Sequence, residues 1–73
     1  MQNAKLQITP NPFAYFTTVP GHEAERFSLY DVSSRKVGTY WGGRVGEGLA
    51  PGVYFLQGEA DRFSRPLKVV KMR

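Results

Sequence analysis

A chain of 73 residues, 41% hydrophobic and 14% aromatic, has enough apolar side chains for one small core and too few for two, so residues 1–73 are read as a single domain. The absence of cysteine excludes a disulfide framework and a thiolate zinc site. Ten Lys and Arg against six Asp and Glu give a formal charge of +4, and half of the cations, Arg62, Arg65, Lys68, Lys71 and Arg73, fall in the last twelve positions. Such a cluster suits nucleic acid, anionic lipid or polysaccharide, or an acidic protein surface; it equally suits solvated edge-strand charges that discourage aggregation.

No eleven-residue stretch keeps apolar residues at i, i+3, i+4 and i+7, so helix is not expected. Alternation is present instead. Lys5 to Thr9 sets Leu6 and Ile8 on one face, and Pro10-Asn11-Pro12 ends the run because two prolines remove ladder donors. Tyr15 to Val19 is a second β-rich run closed by Pro20-Gly21. In the third, Phe27 and Leu29 point one way and Arg26, Ser28 and Tyr30 the other.

Asp31-Val32-Ser33-Ser34 predicts a tight turn in which Asp31 accepts hydrogen bonds from the amides ahead of it. Lys36 to Trp41 returns antiparallel, and Trp41 to Gly48, with four glycines, is the longest irregular segment. Pro51-Gly52 predicts a type II turn with positive φ at Gly52. Val53 to Glu59 is apolar on both faces over its first four residues, as in a central strand. Ala60 to Phe63 is expected to turn, and Leu67 to Met72 to make the last strand. The expected inward set is Leu6, Ile8, Phe13, Phe16, Phe27, Leu29, Val37, Trp41, Val53 or Tyr54, Leu56, Leu67 and Val69. Six or seven short strands spaced by turns point to an all-β class, a small antiparallel sandwich or barrel.

Catalytic chemistry finds little support. His22 is the one histidine and sits in a polar loop, so neither a transition-metal site nor a triad with Ser33, Ser34 and Asp31 is expected. Gly42-Gly43-x-x-Gly46-x-Gly48 lacks the Gly-Lys-Ser/Thr ending and following helix of a phosphate loop. Catalytic, cofactor-binding and metal residues are each read as none. Tyr30, Tyr40, Trp41, Tyr54 and Phe55, interleaved with basic residues, could stack bases or sugars, but core packing explains most of them more simply. No apolar run approaches the roughly 18 residues of a membrane helix. The first residues lack a signal-peptide core, so an exported domain would take its signal from upstream in a longer parent.

The order of motifs resembles the C-terminal sorting domain of the type IX (Por) secretion system, an immunoglobulin-like β-sandwich. Pro10-Asn11-Pro12-Phe13 matches that family's Pro-Asn-Pro-Phe signature, and Tyr30, Asp31, Arg35 and Val37 match its Tyr-Asp-x-x-Gly-Arg-x-Val, with Ser34 at the glycine position. The family's glycine usually needs φ > 0, which serine adopts at a cost on the order of 1 kcal/mol. Trp41-Gly42-Gly43-Arg44 is similar to its Trp-Asp-Gly-Arg, Leu49-Ala50-Pro51-Gly52-Val53-Tyr54-Phe55 to its Gly-Val-Tyr-Phe element, and Lys68 to Arg73 to its basic-apolar final strand. The segment that usually separates the Val37 strand from the Trp strand is missing. Immunoglobulin-like domains of flagellar hook-capping proteins share the Trp-x-Gly-Arg and Gly-Val-Tyr elements.

The resemblance implies a non-catalytic label, recognised by an outer-membrane translocon and commonly removed by a sortase-like peptidase. It implies passage through the periplasm to the cell surface or medium, with an upstream cargo domain, no nucleic-acid partner and no cofactor. Gly52, Val53, Tyr54, Lys68, Val70 and Lys71 are the implied recognition residues; Pro10, Asn11, Pro12, Asp31, Arg35, Pro51 and Gly52 are the implied turn positions. The alternative is a structural or adhesive β-sandwich module, with glycan binding as one form of it, retained on a surface protein.

Overall fold

A computed structural model describes residues 8–59 and 66–72. Strands β1 (Arg26–Tyr30), β2 (Lys36–Trp41), β3 (Gly52–Gly58) and β4 (Leu67–Lys71) form one open antiparallel sheet in the order β2-β1-β3-β4. The protein is all-β, with no helix among the described residues. Leu6 and the Ala60–Phe63 turn lie outside those residues. The described parts of the two early runs contribute isolated bridges, Thr9 with Thr18 and Thr17 with Val45, rather than strands. Pro10 and Pro12 between these runs cannot donate to a ladder, which limits pairing there to single residues.

The β1–β2 hairpin is closed as its sequence predicts. One carboxylate oxygen of Asp31 accepts the Ser33 amide at 2.9 Å, the Arg35 amide at 3.0 Å and the Ser33 hydroxyl at 3.0 Å. The amide of Ser34 donates to the Asp31 carbonyl, and that of Asp31 to the Arg35 carbonyl. The reversal places Ser34 at φ 69°, a left-handed conformation that a side chain resists.

Alternation puts Phe27, Leu29, Tyr54, Leu56 and Val69 on one face of the sheet. There they join Phe13, Val19 and Val45 in one buried cluster, with Ile8, Val37, Tyr40, Leu49 and Leu67 packed against it. Phe13, Val19 and Val45 come from the irregular segments, so the loops supply the layer that covers this face. Burying a large apolar side chain contributes about 1.5–3 kcal/mol, and a domain this small cannot spare such residues. Of the two residues left open as inward-facing in β3, Tyr54 is buried and Val53 is half-buried. Phe16 is also half-buried, its ring 4.4 Å from the Arg44 guanidinium.

Trp41 departs from expectation: it is 56% exposed, on the opposite face, with the Arg26 guanidinium 5.3 Å from its ring. The cause is a bulge. The register passes from Leu29↔Gly38 to Tyr30↔Lys36, leaving Val37 as an extra residue. A one-residue insertion flips every side chain beyond it to the other face. Val37 can therefore pack inwards while Tyr40, opposite Phe27, takes the inward place expected of Trp41.

Two expectations follow from the hairpin. Ser34→Gly relieves the left-handed strain and should stabilise the domain by about 1 kcal/mol, raising Tm by roughly 4–8 °C; an unchanged or lower Tm would show that the turn is not strained. The amide bonds to Asp31, led by that of Arg35, hold its carboxyl below the ordinary 3.8. Because the folded state depresses this pKa, the stabilisation is present above the ordinary value and is lost as pH falls through the folded one. The stability difference between the parent and Asp31→Asn, followed by urea denaturation, should therefore shrink as pH drops from about 5 towards 2.

Candidate functional site

The basic-apolar terminal strand and the Pro-Asn-Pro-Phe segment, nearly sixty positions apart, meet at the edge of the sheet. All of β4 is in register with β3, and in the alternating antiparallel pattern the main-chain groups of Lys68, Val70 and Met72 turn outwards while those of Leu67, Val69 and Lys71 face β3. Segment 11–13 meets each of them. The Asn11 side-chain amide donates to the Lys68 carbonyl at 3.1 Å, and its oxygen accepts the Val70 amide at 3.0 Å. The Phe13 amide then donates to the Val70 carbonyl at 3.0 Å, and the Met72 amide to the Phe13 carbonyl at 2.7 Å. The Thr9-Pro10 and Asn11-Pro12 bonds flanking Asn11 are both cis. An Asn between two prolines stands in for a strand here: its side chain supplies the donor that the prolines lack, together with an acceptor for the Val70 amide.

The Phe13 ring reaches the core beneath Gly46, which stands at φ 87°. A Cβ on Gly46 would come within 2.6 Å of the ring, so both backbone conformation and close approach require glycine there. The Gly46 carbonyl accepts the Lys71 ammonium at 2.9 Å, and that nitrogen lies 5.9 Å from the centroid of the Phe13 ring. Lys71 is 8% exposed. A buried ammonium must be compensated, and here a carbonyl and a ring face do so.

The ladder brings the implied recognition residues together. Gly52 lies opposite Lys71, Val53 opposite Val70, Tyr54 opposite Val69, and Phe55 opposite Lys68. They divide between two faces. Val53, Val70 and Lys68 lie on the outer face, with Lys68 exposed and the valines half-buried. Gly52, Tyr54 and Lys71 lie on the inner face, where the Tyr54 hydroxyl donates to the Ala50 carbonyl at 2.6 Å.

Gly52 does not hold the left-handed turn expected of it. It begins β3 in an extended conformation, and a Cβ there would meet the Tyr54 ring at an ordinary 3.7 Å. The reversal is made earlier, where Gly46 and Gly48 take φ 87° and 86°. Among the remaining turn positions, Arg35 lies 3.5 Å from the second Asp31 carboxylate oxygen, while Pro10 and Pro51 are exposed. Gly42 is buried, and a Cβ there would collide with the His22 carbonyl and the Phe27 ring. The imidazole of His22 pairs with Glu25 at 2.9 Å.

Sequence reasoning missed the inward aim of Lys71, although its parity with Leu67 and Val69 carries that signal. It also missed Val19 and Val45 as core residues, because single bridges leave no run of alternation to read. Among the described residues no three His, Cys, Asp or Glu side chains could jointly hold a metal ion, and no helix is long and apolar enough to cross a membrane. No protein-family model, curated protein or solved structure matches the chain.

The Asn11 bonds predict a measurable contribution to stability. Asn11→Ala removes two hydrogen bonds to β4, each with a net value of about 0.5–1.5 kcal/mol, and should lower unfolding stability by roughly 1–3 kcal/mol. Asn11→Asp, which keeps the acceptor for Val70 but loses the donor to Lys68, should fall between parent and alanine variant in urea denaturation. An alanine variant as stable as the parent would make the contact incidental.

Proposed function

We propose that this domain is a non-catalytic sorting label that directs an attached cargo across the outer membrane through a type IX secretion system. The translocon and a sortase-like peptidase are its partners, and the cell surface or medium is its destination. The observation that carries the reading is the meeting of Asn11 and Phe13 with Lys68, Val70 and Met72, which joins the first and last motifs of the family resemblance in one edge. The left-handed Ser34, at the position where the family has glycine, agrees with it.

The fold reading within this proposal is an immunoglobulin-like sandwich. One sheet of such a sandwich runs C′-C-F-G, with a tyrosine near the start of F whose hydroxyl bonds back to the upstream backbone. The order β2-β1-β3-β4 corresponds to that sheet, and Tyr54 near the start of β3 bonds to Ala50. In this reading the segments joined by the Thr9–Thr18 and Thr17–Val45 bridges are the remnant of the second sheet. Within the recognition set, Lys68, Val53 and Val70 present the outer surface, whereas Lys71 and Tyr54 support it from within.

A second reading, an adhesive module that takes glycans and stays on a surface protein, draws on the exposed Trp41 ring beside Arg26. The test is a fusion of this domain to the C-terminus of a folded periplasmic reporter in a bacterium with a type IX system. The sorting reading predicts reporter at the surface or in the medium, reduced by Lys68→Ala with folding intact. Retention of the unmodified fusion in the periplasm would overturn it and favour the module.

A further inference from the structure

The two edges of the sheet are treated differently. Segment 11–13 covers that of β4, while β2 has no neighbour on its outer side among the described residues. The Gly42 amide donates to the Glu25 carbonyl, and the Phe27↔Tyr40 and Leu29↔Gly38 pairs continue that inward-bonded phase. The Thr39 amide and carbonyl and the Trp41 amide therefore point away from the sheet. We propose that this edge takes up an extended, acidic segment of a partner protein as an added antiparallel strand.

Charge and exposure specify the occupant. Lys36 stands at one end of β2, and Arg26, opposite Trp41, at the other; both are exposed on the outer face. Neither makes an ion pair with a described carboxylate. They are separated by about five residues of strand, on the order of 17 Å. An added strand with carboxylates at both ends and β-branched residues between them would meet both cations. It would also cover the side of Trp41, now 56% exposed. A second copy of the chain fits poorly: antiparallel pairing of two β2 strands about Thr39 sets each Lys36 beside the partner's Arg26 end, and like charges across a ladder repel. The charge of Lys36 beside the edge opposes such self-pairing while leaving the edge open to an acidic strand. The inference does not depend on the sorting reading.

The probe is a capped synthetic peptide of alternating valine and threonine with two glutamates at each end, titrated into the isotope-labelled domain by NMR at low salt. A lysine-ended peptide and a glutamate-ended peptide with alternate amides N-methylated are the comparisons. The expected result is a change confined to amides of β2 and its flanks, loss of binding on N-methylation, and no binding of the lysine-ended peptide. Arg26→Glu with Lys36→Glu, both exposed and outside the core, should weaken binding of the glutamate-ended peptide roughly tenfold and admit the lysine-ended one. Absence of binding, changes centred on β4, or indifference to N-methylation would overturn the proposal. Concentration-dependent dimerisation through β2 would replace the acidic partner with a second copy.

Discussion

The outward-facing main chain of β4 sets the constraint on which the rest of the structure depends. An edge strand must find partners for its amides and carbonyls or leave them to water and to other chains, and a 73-residue domain has few strands to offer. Here three residues suffice. The Asn11 side chain and the Phe13 backbone make four hydrogen bonds with Lys68, Val70 and Met72. Once Phe13 is placed in that way its ring enters the core. The ring in turn excludes any side chain at Gly46, and the Gly46 carbonyl fixes the Lys71 ammonium. Edge, core and glycine loop are therefore one cooperative unit.

The same arrangement explains how a sheet with only four described strands buries one face. Phe13, Val19 and Val45 reach the inner face from irregular segments held by single bridges and main-chain bonds, such as Val19 to the Gly42 carbonyl at 2.7 Å. Gly42 can approach His22 and Phe27 because it has no side chain. Polar side chains take over work that ladders do elsewhere: Asp31 in the hairpin, Thr17 bonding to the Pro10 carbonyl, and Asn11 at the edge.

Much of this was legible in the sequence wherever alternation runs unbroken. Arg26 to Tyr30 declares its faces and Asp31-Val32-Ser33-Ser34 its turn, whereas Val53 to Leu56, apolar at every position, leaves the choice between Val53 and Tyr54 to the pairing with β1 and β4. Alternation failed at β2, because nothing in Lys36 to Trp41 announces the bulge at Val37, and that bulge sets Tyr40 rather than Trp41 against the core. It was silent for Val19 and Val45, which contribute to no ladder longer than a single bridge. Pro51-Gly52 misled for a different reason. The local preference for a type II turn is weaker than the pairing of Gly52 with Lys71, and the two glycines upstream already make the reversal. The motif Pro-Asn-Pro-Phe did not reveal its pairing with β4, since its partner lies nearly sixty positions further along the chain.

Amide hydrogen exchange followed by NMR tests the closed-edge account most directly, because it reads individual main-chain groups in the unmodified protein. If segment 11–13 closes β4, the Val70 and Met72 amides exchange slowly, at rates set by opening of the sheet. The Thr39 amide on the open edge of β2 exchanges at the rate of an exposed group. Exchange of Val70 and Met72 as fast as Thr39 would contradict the account.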